Sequence, residues 1–479
     1  MNVRCSLRAA SAALASLLWC TNPALRGEEP PLPNAPSPQL IAQASQPAPS
    51  AQQPRAQHST QSQVGAEQAP APPGPRLTLS DAERMAIQHN PNVSIAHLLQ
   101  LAQAQVVRET RAAELPMAVG DLTAVGSHDN SRITAGLINN PTIYNRAAGG
   151  LTVDQLITDF GRTHNLVKSA KSNARAQLES EQATALDITL AVDQAFYQVL
   201  TAQSVLKVAQ QTVDTRQTTD EEIGALTNAK LRSTLDLSLA DVQVSQAKLL
   251  VLDAQNAFAS AMANLNAILG SATDTQYDLV DETPPNPQLA PVNIEDMVQL
   301  AFRARPDLLA LQDRSLAAKQ FSSAEHDLLR PTISALAVTG GSPVRADEIL
   351  SSWYGAAGAN VSIPIFNGFE YSARAKDADL RASAAQEQVR NLRDNIARDV
   401  RTAVLNAQIA FQRIGVTQEL LNQSNTALDL AQARYKVGLA GIVDLTQSQL
   451  AQTEAEIGVA NARFAYQTAL AVVKYQTGQ

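Results

Sequence analysis

Ala357-Gly-Ala-Asn-Val-Ser-Ile-Pro-Ile-Phe-Asn-Gly368 is the stretch that decides the fold. In it Ala357, Ala359, Val361, Ile363 and Ile365 alternate with Gly358, Asn360, Ser362 and Pro364, the period of a strand with one apolar face. Over about ten residues this is the signature of a transmembrane β-strand, apolar toward lipid and polar toward a lumen. Taken alone, such a segment is more commonly an amphipathic strand on a soluble core. The chain after it carries no proline from Ile365 onward, so a helix over about Glu370–Tyr435 can run unbroken. A helix of about 65 residues is a rod of roughly 95–100 Å.

The same arrangement stands upstream. At an offset of 208 residues Val153 meets Val361, Ile157 meets Ile365, Asp159 meets Asn367, Asp236 meets Asp444 and Gly270 meets Gly478. Further toward the N-terminus the offset is 215, where Asn90-Pro91 meets Arg305-Pro306 and Pro116 meets Pro331. The change falls between Gly120 and Gly149, in a Gly-, Asn- and Pro-rich stretch that reads as a surface loop. The chain is therefore one unit written twice. Each copy predicts a broken helix (Ser80–Glu114 and Glu295–Leu329, interrupted at Pro91 and Pro306) and two strands. Those strands fall at about Met117–Ser127 and Ala147–Ile157, then Thr332–Thr339 and Tyr354–Ile365. A very long helix (Arg162–Leu226, Glu370–Tyr435) and a shorter one (Leu235–Leu269, Asp444–Gln476) complete each copy. In the first copy Leu151, Val153 and Ile157 form the apolar face, interrupted by Gln155.

The long helices keep a 4-3 spacing. Val400, Val404, Ala407, Phe411, Ile414, Gln418 and Leu421 are matched by Val192, Phe196, Val199, Gln203, Leu206, Gln210 and Val213. Two shorter helices stacked end to end match the length of one long helix, which predicts a wall of long helices flanked by stacked pairs. Four strands cannot close a barrel, and an open sheet edge cannot sit in hydrocarbon. Membrane insertion therefore requires several chains; eight strands from two copies and twelve from three are both allowed.

Arg4 and Arg8 followed by the apolar run Ala9–Trp19 read as a secretory signal, too short to span a bilayer. Cleavage is expected between Cys20 and Gly27; Cys20 could instead accept lipid, against which Trp19 argues. Residues 28–75 hold 12 of the 24 prolines and read as a disordered tether. The expected divisions are 1–27 signal, 28–75 tether, 76–270 first repeat, 271–293 linker and 294–479 second repeat. Both cysteines lie in the first 20 residues, so a processed chain has no thiol chemistry. The formal charge of −8, spread along 479 residues, excludes a nucleic-acid footprint. The six histidines show no H-E-x-x-H spacing, and no phosphate loop or G-x-S-x-G occurs. No enzyme, cofactor or metal is expected.

The residues resemble the TolC family of trimeric outer-membrane efflux and secretion channels. Leu77-Thr-Leu-Ser-Asp-Ala82 with Asn90-Pro91 resembles its opening helix, and Arg305-Pro-Asp-Leu308 the counterpart in the second repeat. Ser362-Ile-Pro-Ile-Phe-Asn-Gly368, with Pro364, Phe366 and Gly368, resembles its strand-to-helix corner, and Asp159-Phe-Gly161 the first-copy equivalent. Ala433-Arg-Tyr-Lys-Val-Gly-Leu439, followed by Asp444-Leu445, resembles the tip turn.

The resemblance implies a mainly helical fold, a homotrimer with a shared 12-stranded barrel in outer-membrane lipid and a helical tunnel in the periplasm. It implies the exit duct of a tripartite efflux pump or type I secretion system, working with a periplasmic adaptor and an inner-membrane pump. It places Asp236 and Asp444 as an acidic ring at the periplasmic gate. Tyr435 and Gln447 support that gate, and Val437, Gly438, Leu439 and Leu231 form the adaptor-contacting tip. Each aspartate also suits the cap of the following helix. The first copy reads Thr227-Asn-Ala-Lys-Leu231, so its turn is expected to close differently, and no basic residue follows Leu439 to lock the closed state. The competing reading is a periplasmic or surface coiled-coil adaptor or scaffold, which leaves the paired β-segments unexplained.

Overall fold

The computed structural model describes residues 74–126, 145–271, 275–282, 293–344 and 351–479. The expected signal, the tether up to residue 73 and most of the inter-repeat linker lie outside them. In chain order the elements are β1 (Arg76–Leu77), α1 (Leu79–His89), α2 (Pro91–Ala112), β2 (Met117–Val125), β3 (Arg146–Thr158), α3 (Arg162–Asn228) and α4 (Thr234–Ile268). There follow β4 (Asp278–Leu279), α5 (Ile294–Ala304), α6 (Pro306–His326), β5 (Thr332–Val344), β6 (Trp353–Ser362), α7 (Glu370–Lys436) and α8 (Ile442–Gln476). The duplication is visible in the lengths: α3 and α7 are each 67 residues, α4 and α8 each 35. The short parallel pair β1–β4 was not foreseen; two residues each carry no periodicity to read.

Proline breaks the shorter helices where expected, and the break is used. Pro91 and Pro306 open α2 and α6, where a missing N–H goes unmissed. At the first break the Asn90 side chain caps α2 by accepting from Asn92 N at 2.9 Å and donates to the Ile268 carbonyl at the end of α4 at 2.8 Å. At the second, Arg305 grips Asp307 in bidentate fashion (3.0 and 2.7 Å) and reaches Gln476 at the end of α8. Gly270 and Gly478, both at positive φ, end α4 and α8 against these breaks. A Cβ on Gly270 would stand 2.6 Å from the His89 carbonyl oxygen, and one on Gly478 2.9 Å from that of Ala304. The stacked pairs α1/α2 on α4, and α5/α6 on α8, thus abut through equivalent joints. The apolar cores follow: Val192, Phe196, Val199 and Leu265 beneath α1, and Val298 of α5 with Leu308 of α6 on Ile396 and Val400 of α7.

Each long helix lies beside stacked pairs: α3 packs on α2 and α4 on one side and on α6 and α8 on the other, and α7 packs on α6 and α8. The columns are ordered α2/α4, α3, α6/α8, α7. The strands form one antiparallel sheet in the order β2-β3-β5-β6, so each strand continues one column of the wall.

Two expectations need correction. The 4-3 spacing of α3 puts Gln203 and Gln210 in its seam, but both are exposed, and Ala209 and Arg216 are buried instead. A helix of 3.6 residues per turn drifts off a 3.5-residue repeat. The last strand was expected to reach Ile365, yet pairing stops at Ser362, leaving Ile363 and Ile365 beyond β6. Pro364 has no N–H with which to continue a ladder.

Candidate functional site at the helix turns

The turn joining α3 to α4 and that joining α7 to α8 are superimposable in their hydrogen bonds. In the second, the N–H groups of Val437, Gly438 and Leu439 donate to the carbonyls of Ala433, Tyr435 and Arg434 at 3.3, 3.0 and 2.8 Å. In the first, Ala229, Lys230 and Leu231 donate to Ala225, Thr227 and Leu226 at 3.1, 2.9 and 2.9 Å. This is the six-to-one closure of a helix ended by a left-handed residue. Gly438 supplies it at φ 77°, Lys230 at φ 61°. The expectation that the first turn closes differently is overturned: the backbone pattern imposes the conformation, and Lys230 accepts the strain.

Leu231, Val437 and Leu439 are 70, 70 and 72% exposed at the ends of the hairpins, an apolar tip with nothing covering it in a single chain. Asp236 and Asp444 are the third residues of α4 and α8. Asp444 caps its helix, its Oδ2 accepting from Gly441 N at 3.4 Å. In α4 the cap is Ser233, whose hydroxyl accepts from Leu235 N at 3.1 Å. Asp236 is half-buried near Tyr435.

Tyr435 is buried at the meeting of α3, α4, α7 and α8, among Ile223, Ala240, Leu428, Ile442 and Leu445. Its hydroxyl has no partner among the described residues. Burial pushes the phenol above its ordinary pKa; Arg232 opposes the rise and Asp236 adds to it. Arg232, which sequence reasoning missed, stacks 4.1 Å above the Tyr435 ring and donates to the Tyr435 carbonyl. A basic side chain thus reaches the second turn from the first. Only the folding of one hairpin against the other brings positions 203 residues apart into contact.

Gln447 is exposed, one turn beyond Asp444. The buried glutamine of α8 is Gln449, which accepts from Arg216 and donates to Thr219 at 3.2 Å. Arg216 is 5% exposed, and burial lowers its pKa to about 10. Tyr435, Arg232, Gln449 and Thr219 line one cavity of about 470 Å³ between the two hairpins. Among the described residues no group of three His, Cys, Asp or Glu could hold a metal ion.

At the other end of the long helices each copy turns from strand to helix through two successive left-handed residues. These are Phe160 and Gly161 in the first copy, Gly368 and Phe369 in the second. Asp159 holds the first corner by accepting from Gly161 N at 3.2 Å and Thr163 N at 2.6 Å. Phe366 packs edge-on against Phe369 at 5.7 Å in the second, just beyond Pro364.

In the sheet the register aligns Val153 with Ala118 and Ala337, and Val361 with Ile333. Leu151, Val153 and Val361 therefore share one face. A register shift between Leu156 and Thr158 leaves Ile157 unpaired with β5.

A sequence profile of the outer membrane efflux protein family matches residues 83–271 and 297–479, well over half of the chain and both copies of the repeat. The chain belongs to the outer membrane efflux protein family. Within the family it is 24% identical to outer membrane protein TolC of Salmonella enteritidis over 428 residues, covering 84% of this chain and 83% of that protein. It is 25% identical to outer membrane protein OprJ of Pseudomonas aeruginosa, covering 74% of each chain. Its fold matches the solved structure of the outer membrane protein VceC from Vibrio cholerae with a TM-score of 0.72 at 19% identity, over 84% of this chain and 96% of that one. Membership in this efflux family sets the chain in the outer membrane as a transport protein rather than an enzyme.

Proposed function

We propose that three copies of this efflux-family chain join edge to edge into one tube, a 12-stranded barrel in the outer membrane continued by a helical tunnel in the periplasm. It is the passive exit duct of a tripartite efflux pump or type I secretion system, gated where the helix hairpins end. One observation carries this reading above all. The four strands continue the four helical columns in the same order, and among the described residues the two outer strands, β2 and β6, have an unpaired edge each. Such edges are excluded from hydrocarbon unless another chain pairs with them.

The gate follows from the turns. Three copies bring together three Asp236 and three Asp444 around the axis, a ring that repels anions and attracts cations. Arg232 holds the α7–α8 hairpin through Tyr435, and this contact keeps the two hairpins of a subunit together in the closed state. The apolar tip of Leu231, Val437 and Leu439 is the surface a periplasmic adaptor covers, with an inner-membrane pump supplying the energy.

Planar-bilayer recording of the purified protein tests both parts. Wild type should conduct weakly and be blocked by multivalent cations from the periplasmic side. Arg232→Ala should raise the conductance, and Asp236→Ala with Asp444→Ala should abolish the block. A protein that gives no channels in any of these forms refutes the duct; unchanged block in the double variant refutes the ring. The adaptor or scaffold reading predicts instead that carbonate washes the protein from outer membranes.

A further inference from the structure

The sheet has two unlike faces, and their chemistry tells them apart. Residues directly opposite in an antiparallel ladder point to the same side. One face carries Leu122, Leu151, Val153, Ile333, Val361 and Trp353 and no charged residue; the other carries the charged Asp121 and Asp154 with Thr152, Asn360 and Tyr354, interspersed with the apolar Met117, Val119, Leu336 and Val338. In a barrel standing in lipid the first is the outer face and the second lines the lumen. Trp353 begins β6 at the end remote from the helices, where an outward aromatic ring meets a membrane–water boundary.

Tyr354 stands next to it on the lumen face, in a row that runs Asp121, Gly150, Gly340, Tyr354 across all four strands. Its side chain does not stand up from the sheet. The phenol Cζ lies 2.5 Å from where a Cβ on Gly340 would sit, and 3.4 Å from where one on Gly150 would sit, with the hydroxyl closer still to both. The ring therefore lies flat across two neighbouring strands, in a trough that exists only because both residues beneath it lack a side chain. A side chain at Gly150 would meet the phenol first and lift the ring off the wall into the lumen, whereas one at Gly340 would also meet the Gly149 carbonyl oxygen at 2.5 Å and disturb the strands themselves.

We propose that Tyr354, laid flat on Gly340 and Gly150, sets the bore of the duct at its outer end, and that three copies make a ring of phenols that admits or excludes solutes by size. This rests on the tube described above. It adds a determinant of what passes the barrel, some distance from the periplasmic turns. The lumen surface there is phenol face and carboxylate, suited to amphipathic or cationic solutes rather than bulky anions.

The test uses the full chain in the outer membrane of intact cells, with Asn360→Cys as a reporter on the Tyr354 face nearer the helices. Labelling is read by mass on the peptide carrying residue 360, with a small membrane-impermeant maleimide and with a maleimide attached to a polyethylene glycol chain. The small reagent should label equally in four backgrounds: unaltered, Gly150→Ala, Tyr354→Ala and the pair combined. The large reagent should label severalfold more slowly with Gly150→Ala and severalfold faster with Tyr354→Ala. In the combined variant it should be as fast as with Tyr354→Ala, since no ring remains to displace. This last outcome separates a lifted ring from a merely disturbed sheet. Large-reagent rates that are the same in all four overturn the inference while leaving the tube intact. Failure of even the small reagent to reach residue 360 from outside in any background overturns the tube itself, and this inference with it.

Discussion

Asp193 shows what a single residue can hide. It lies on α3 under α1, 4% exposed, with one carboxylate oxygen lacking any partner among the described residues. Burial first, then the hydrogen-bonded Glu83 of α1, raise its pKa to about 7, with Lys474 of α8 opposing. The folded state thus keeps a proton that the unfolded chain gives up near the ordinary value of 3.8. More protons bound in the folded state means stability that is full in acid, falls as pH rises, and levels off above about 7. Denaturant unfolding of the full chain between pH 5 and 8 should show that fall, and Asp193→Asn should flatten it and raise stability at pH 8. An equal slope in the variant would place the effect elsewhere. Nothing in the sequence marked this aspartate, nor Arg216 or Arg232, since each draws its character from a helix far away in the chain. The placing of Asp236 and Asp444 at matching turns was legible in the duplication, whereas Tyr435, which answers to Thr227 in the first copy, was legible only through the family resemblance.

Among the elements, the two tip turns form a natural experiment in one molecule. Both need a left-handed residue; Gly438 meets the need freely and Lys230 does not. A side chain in that conformation costs roughly 1–2 kcal/mol. Gly438→Ala should therefore destabilise the second hairpin by about 1 kcal/mol, once the stiffer unfolded chain of alanine is allowed for. Lys230→Gly should stabilise the first by somewhat less. Hydrogen exchange at Leu439 and Leu231 reads the two turns separately, slowing at Leu231 for Lys230→Gly and quickening at Leu439 for Gly438→Ala. No change at Leu231 would mean that Lys230 is held by a contact strong enough to cancel its strain. The ends of the long helices could be read almost to the residue because proline is absent, but the buried stripe of α3 could not, because a straight helix drifts off a seven-residue repeat. Strand ends were less legible. Alternation runs past Ser362 to Ile365 without regard for the donor that Pro364 lacks, and β5 continues to Val344 through two glycines that look like a turn. The pair β1–β4 is held by only two residues a side.

For the whole molecule the open question of the sequence, two copies or three, has a physical answer in the lumen face. An eight-stranded barrel is just wide enough for its own side chains to fill. In the proposed barrel Asp121 and Asp154 face that interior, and carboxyl groups packed there without water would be strongly disfavoured. Twelve strands leave them hydrated, which favours three. The helical wall agrees that its edges want partners. On α7 the exposed Leu405, Ile409, Val416 and Leu420 follow one face, and on α4 Leu235, Val242 and Leu249 recur at every seventh residue. Because α7 and α4 stand at opposite edges of the wall, one subunit's α7 edge must meet its neighbour's α4 edge, a head-to-tail contact that closes only as a ring. Val416→Asp with Leu420→Asp, or Val242→Asp with Leu249→Asp, should each remove the trimer from native mass measurements in detergent. The wild-type chain should give three times the mass of one subunit. Mixing the two kinds of variant is the sharper test, since a mixed pair has one intact contact and two spoiled outer edges. It should form dimers and stop there; trimers recovered on mixing would mean that the edges do not meet in this way.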